Sequence, residues 1–161
     1  MHALNLDIFN AFHTDWALLT AGTPDHFNTM TISWGGLGTL WGKSVATVYV
    51  RPCRYTYEYM ENNEQFTVSF FTEEYRPDLK LLGTRSGRDG DKVAMTSLTP
   101  VSAGESTGFA QAKLTLVCKK LYAQAMDAAA IPEDIMQAQY GSAEPHKLYI
   151  GEVIAILNRE V

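Results

Sequence analysis

The chain has 161 residues, 46% hydrophobic and 19% charged, which is the make-up of an ordinary globular domain with a sizeable core. Its 13 Lys and Arg against 18 Asp and Glu give a net charge of −5, which argues against nucleic acid or an anionic membrane as main partner. No apolar run approaches the roughly 20 residues of a membrane span, and Met1-His2 opens no signal segment, so one cytoplasmic domain over 1–161 is expected.

Trp16 to Ala21 reads as a strand that ends at the turn residues Gly22-Thr23-Pro24-Asp25. The polar run Phe27 to Trp34 is its expected hairpin partner, and it leads into a glycine-rich turn, Gly35-Gly36-Leu37-Gly38. An apolar strand, Val45 to Val50, breaks at Arg51-Pro52, and a helix is expected from about Arg54 to Asn62. Phe66 to Phe71 is rich in β-branched and aromatic residues and reads as a strand. Pro77 at its start and Gly83 just past its end frame a second helix. In Lys113 to Met126 the apolar residues sit on even positions (Leu114, Leu116, Cys118) and then on odd ones (Leu121, Ala123, Ala125). A one-residue bulge near Lys119-Lys120 accounts for that switch and bends the strand. Pro132 and Gly141 frame a third helix, Glu133 to Tyr140, and the last strand, Lys147 to Leu157, is apolar on both parities. Such a strand is covered on both sides, by its own core and by a helix or a second subunit. The pattern is mostly β with a few short helices, and periodicity leaves barrel and sandwich equally open.

Three places carry chemistry. Arg51, Arg54 and Thr56 surround a helix start, where guanidinium forks and free backbone N–H groups favour a phosphate. Alone, the same arginines would serve as surface partners of Glu58 or Glu61. Strand alternation sets Asn28, Met30, Ile32 and Trp34 on one face and Thr29, Thr31 and Ser33 on the other. Hydroxyls and an amide suit the polar edge of a ring system, while Met30, Trp34 and Trp41 suit its apolar remainder; taken alone, a Thr-rich strand reads as a plain solvent-facing edge. The run Gly83 to Val93 combines turn glycines with Arg85, Arg88 and Lys92 and is again friendly to anions. Metal chemistry is not expected: Cys53 and Cys118 are few and far apart, and His2, His13, His26 and His146 lack ligand spacing.

These places together resemble the flavin reductase-like family. The resemblance rests on the Asn-x-Met-Thr strand (Asn28, Met30, Thr31), the glycines after it, the segment Arg51 to Thr56, and Ser86-Gly-Arg-Asp-Gly-Asp-Lys92. It extends to the strand His146 to Val153 with Gly151, and it departs at Gly90, where bulkier residues are frequent. The resemblance implies an FMN-binding split β-barrel, Greek-key-like, assembled as a homodimer. It implies FMN contacts from Asn28, Thr29, Met30, Thr31, Ser33, Trp34, Arg51, Arg54, Tyr55, Thr56, Ser86, Arg88 and Lys92. Arg51, Arg54, Thr56 and Lys92 would hold the phosphate, in a closed trap that favours FMN well over FAD. It sets His146 on the nicotinamide side, with an effect on rate in the imidazole pH range. No Gly-x-Gly-x-x-Gly occurs, so NAD(P)H would lie over the flavin and deliver hydride to N5. Two alternatives stand beside this reductase: a flavoredoxin-like carrier served by a redox protein partner, and a non-redox barrel used only for interaction.

Overall fold

The structure, a computed structural model, describes residues 4–159, so Met1-His2 lies outside it. A short helix, α1 (Ile8–His13), capped by the Asp7 carboxylate on the Asn10 N–H, precedes the hairpin β1 (Ala17–Thr23) and β2 (His26–Ile32). Then come β3 (Gly35–Leu40), β4 (Lys43–Val50), α2 (Tyr55–Asn62), β5 (Gln65–Phe70) and α3 (Arg76–Thr84). A small hairpin, β6 (Pro100–Ala103) and β7 (Ser106–Phe109), leads to β8 (Leu114–Ala125), α4 (Glu133–Gln139) and β9 (Lys147–Asn158).

Seven strands form one antiparallel sheet in the order β2-β1-β5-β8-β9-β4-β3. Its two edges, β2 and β3, are consecutive in the chain and joined only by Ser33-Trp34. A link that short spans about 10 Å, so the sheet must curl until its edges meet without pairing. The result is a split barrel, and its seam runs along the free edge of β2.

The fold has an inside and an outside core. Leu19, Met30, Ile32, Val48, Phe66, Val68 and Phe70 fill the interior. On the outer face Leu18, Leu79, Leu82, Leu98 and Phe109 form a second cluster under α3 and the β6–β7 hairpin. This double cover explains why β1 is buried at six successive positions and does not alternate. The phase switch expected in β8 is a bulge that leaves Leu121 unpaired, and a second register shift leaves Ile154 of β9 unpaired.

Two sequence expectations are corrected. Gly35 to Gly38 is not a turn but strand β3; the turn is Trp41-Gly42, both at positive φ (52° and 72°), as a two-residue hairpin of this hand demands. Glycine is required at Gly35, where a Cβ would come within 2.5 Å of the buried Phe12 ring of α1. Gly83 lies inside the last turn of α3 and not past its end, and a Cβ there would press on Thr31 at 3.1 Å. Gly35→Val should cost about 1–3 kcal/mol through overpacking. Gly36→Val, at a position where an added Cβ meets nothing within 4 Å, should cost clearly less. Thermal melting of the two variants makes the comparison, and equal losses would reject the packing account.

Candidate functional site

The segment after β4 makes a tight turn, with the Arg54 N–H bonded to the Arg51 carbonyl at 3.0 Å, and Arg54 becomes the N-cap of α2. Its side chain does not cap the helix, so the first N–H groups of α2 keep no side-chain partner. Against this helix start lie the end of α3 and the loop that follows it, and together they enclose a cavity of about 220 Å³. Arg54, Arg85, Arg88 and Lys92 all line it, and no carboxylate does. Arg88 is held by Glu58 at 2.7 Å, stacks over Tyr55 and donates to the Cys53 carbonyl. Lys92 is buried and donates to the Leu82 and Arg85 carbonyls at 2.8 and 3.0 Å. Burial, with Arg54 adding repulsion, pushes the Lys92 ammonium down to about 8. Burial lowers Arg54 as well. Arg54 and Lys92, which have no ion-pair partner among the described residues, favour an incoming anion, because it relieves both desolvation and mutual repulsion.

The cavity wall is pinned from inside the barrel. Asn28 Nδ2 donates to Thr56 Oγ1 at 2.8 Å, tying β2 to α2, and both side chains are buried. A Cβ on Gly87 would meet Asn28 Oδ1 at 2.1 Å, so only glycine lets the loop approach this closely.

A second cavity, about 180 Å³, adjoins the first and shares Met30 and Arg54 with it. Its floor is Met30 to Trp34 at the end of β2, and Tyr49, Arg51 and His146 complete it. Because β2 is an edge strand, alternate N–H and C=O groups point out of the ladder and are open to a polar ring edge. His146 packs against Trp34 (ring centroids 5.1 Å) and meets the Tyr140 hydroxyl at Nδ1, 2.7 Å away. Arg51 donates to the Gln139 carbonyl at 2.6 Å and lies 5.2 Å over the Tyr140 ring. Burial first, then Arg51 and Arg54, push the His146 imidazole down to about 4. It is therefore neutral at physiological pH, and a Tyr140 hydroxyl that donates to Nδ1 leaves the ring proton on Nε2. An effect in the ordinary imidazole range, expected from the sequence, is accordingly moved to lower pH. Tyr140→Phe should raise the His146 pKa toward its ordinary value, since a bond to the neutral form is lost. Ring-nitrogen NMR titration reads this directly, and an unmoved midpoint would remove Tyr140 from the arrangement.

The structure thus gathers Asn28, Met30, Arg54, Tyr55, Thr56, Ser86, Arg88 and Lys92 at the cationic cavity. It places Met30, Thr31, Ser33, Trp34, Arg51, Arg54 and His146 at the edge-strand cavity. Arg51, expected at the phosphate end, lies with the second group. Thr29 lines neither, since its hydroxyl is fully buried, 2.8 Å from Thr20 Oγ1 and bonded to the Leu19 carbonyl. The Thr31 hydroxyl is committed to the Leu79 carbonyl. Both threonines face outward, where α3 covers the sheet, because alternation opposes them to Asn28 and Met30. Trp41 is at the exposed tip of the β3–β4 hairpin and lines neither cavity. Sequence reasoning missed Tyr49 and Tyr140; Tyr140 was legible only as the end of a helix. The donor set fits FMN: cations and helix N–H groups without a carboxylate for the phosphate, and an open strand edge with Met30 and Trp34 for the ring.

No curated protein matches the chain. Among solved structures it is similar to flavoredoxin from Methanosarcina acetivorans (19% identity, TM-score 0.72, covering 99% of this chain and 76% of that one). It is similar also to an FMN-binding protein from Thermus thermophilus with bound 1-cyclohex-2-enone (16%, TM-score 0.71, 98% and 77%). A third is nitrilotriacetate monooxygenase component B from Bacillus cereus (18%, TM-score 0.70, 90% and 69%). At such identities these likenesses show the fold. The sequence profile of the "Flavin reductase like domain" matches residues 9–161, nearly the whole chain, and the protein belongs to that family.

Proposed function

We propose that the protein is an FMN-binding oxidoreductase of flavin reductase type, which takes reducing equivalents from NAD(P)H. One observation carries this reading: a carboxylate-free cavity of four cations adjoins a strand-edge cavity, and Arg54 and Met30 belong to both. When bound, FMN would supply the redox chemistry, as the acceptor of hydride from NAD(P)H. Arg54, Thr56, Ser86, Arg88, Lys92 and the first N–H groups of α2 hold the phosphate. The outward groups of β2, with Met30, Ser33 and Trp34, orient the ring and exclude water. His146, kept neutral, presents an Nε2 proton to a nicotinamide carboxamide. The two free cysteines suit a reducing cytoplasm. Trp41, Ile154 and Leu157 are strongly exposed in a single chain, which favours a C2 dimer that covers the outer face of β9.

The test is anaerobic mixing of the purified, FMN-loaded protein with NADH and with NADPH. Rapid bleaching of the flavin bands is the expected result. A flavin that stays oxidised until a reduced protein partner is added would make the protein a carrier. A preparation that takes up no flavin at all would leave an interaction role. Light scattering at micromolar concentration should return twice the chain mass.

A further inference from the structure

A third cavity, about 530 Å³, borders the cationic one and is walled off from it. Asn28, Tyr55 and Gly87 line both, and they are packed on one another. A Cβ on Gly87 would come within 2.1 Å of Asn28 Oδ1 and 3.0 Å of the Tyr55 ring, and Asn28 Nδ2 is bonded to Thr56. What enters the third cavity therefore does not reach the phosphate end or the ring side. Its volume lies in the range of a small-molecule site, about 300–1,000 Å³.

Its chemistry is the reverse of its neighbour's. Asp25 and Asp91, both exposed, stand at its mouth, and among the described residues neither has an ion-pair partner. Asp91 Oδ1 accepts from the Ala94 N–H at 3.2 Å, which leaves its other oxygen for a ligand. Deeper in, Phe27 and Tyr55 are half-buried and Tyr59 is buried. The Tyr55 and Tyr59 rings meet edge to face at 5.2 Å, and the His26 ring lies 5.1 Å from Tyr59. Lys92 also lines the cavity but turns its ammonium away, to the Leu82 and Arg85 carbonyls; Arg85 lines the cationic cavity and not this one. What Lys92 adds here is its apolar stem. Carboxylates attract a cation, and a wall of rings adds dispersion and cation–π attraction to the body that carries it. A metal ion is not that cation, since no group of three metal-ligating side chains forms among the described residues.

We propose that this cavity is a second ligand site, separate from the flavin's, for an organic cation with a flat apolar body, of the arylalkyl ammonium kind. The body lies on the ring wall, and the charged head meets Asp25 and Asp91 at the mouth. Because Asn28, Tyr55 and Gly87 stand between the cavities, the cation is held beside the flavin and takes no part in its chemistry. The site stands on its own residues, whether or not FMN fills the neighbouring cavities.

The experiment titrates the protein, with and without FMN, with three probes that share one ring: 2-phenylethylamine, 2-phenylethanol and 3-phenylpropionate. The amine is charged at neutral pH, as a lysine is. Calorimetry gives each Kd, and the Tyr55 and Tyr59 ring signals report the place. The amine should bind at least tenfold more tightly than the alcohol, and the propionate should not bind. Asp91→Asn keeps an acceptor for the Ala94 N–H and loses the charge. It should weaken the amine at least fivefold and leave the alcohol within twofold, and Asp25→Asn should do the same. Ala94 lines this cavity and neither of the others, so Ala94→Trp should abolish amine binding while the Kd for FMN stays within twofold. Equal affinity for amine and alcohol, amine binding untouched in both Asp variants, or no saturable binding at millimolar amine would each overturn the proposal. Displacement of the amine by FMN would overturn it as well, because the cavity would then belong to the flavin. A protein that binds the amine and takes up no flavin would retain this site and reject the flavin reading. Thr96→Trp, a second lining position, repeats the test if Ala94→Trp melts early.

Discussion

Arg54→Ala should weaken FMN binding by about 1.5–3 kcal/mol, the range for a charge-assisted hydrogen bond lost from a partly buried site. That corresponds to about 10- to 150-fold in Kd. The effect is large because Arg54 lines both the cationic and the strand-edge cavity, and its guanidinium is already partly desolvated. Riboflavin, which lacks the phosphate, should lose much less. Removing Arg54 also lifts a repulsion that lowers both Lys92 and His146, so both should titrate at higher pH in the variant. Fluorescence titration with FMN and riboflavin separates the contributions, and FMN retention equal to that of the parent would take Arg54 out of the site.

Lys92 should make FMN affinity depend on pH in a way that riboflavin affinity does not. Its ammonium, pushed down to about 8 in the flavin-free protein, regains a higher pKa once a phosphate dianion lies beside it. Binding then takes up a proton above pH 8, and affinity falls as pH rises, by at most about tenfold per unit in the linkage limit. The sign is opposite for the stability of the empty protein. The folded pKa lies below the unfolded one of about 10.4. Lys92 therefore carries its full penalty below pH 8 and is relieved of it as pH climbs toward the unfolded value. Calorimetry in buffers of different ionisation heat measures the uptake. Lys92→Met should abolish the pH slope, and a slope that survives the substitution would assign it to another group.

Much of the fold was legible because punctuation and periodicity are local. Pro77 and Pro132 start helices where a missing N–H costs nothing, and the apolar phase of β8 switches where Leu121 bulges out. The second irregularity, at Ile154, was hidden because β9 is apolar on both parities and an extra residue leaves no phase mark. β3 was misread because Gly35, Gly36 and Gly38 have turn composition, and what makes them a strand is distant: Phe12 of α1 crowds Gly35, and β4 supplies the ladder. Helix α1 and the β6–β7 hairpin are too short to leave a period.

For the candidate site, the sequence by itself determined the chemistry: a helix start flanked by arginines, a glycine-rich cationic loop, a polar strand and a histidine before the last strand. Those are choices of residue type, made position by position. Only the tertiary structure decided their grouping. It sent Arg51 to Gln139 and the His146 side, turned Thr29 and Thr31 under α3, and placed Tyr140 on the imidazole. It also brought the loop at Gly87 against Asn28 and Tyr55, too close for any side chain there, and that approach is set by packing between segments far apart in the chain.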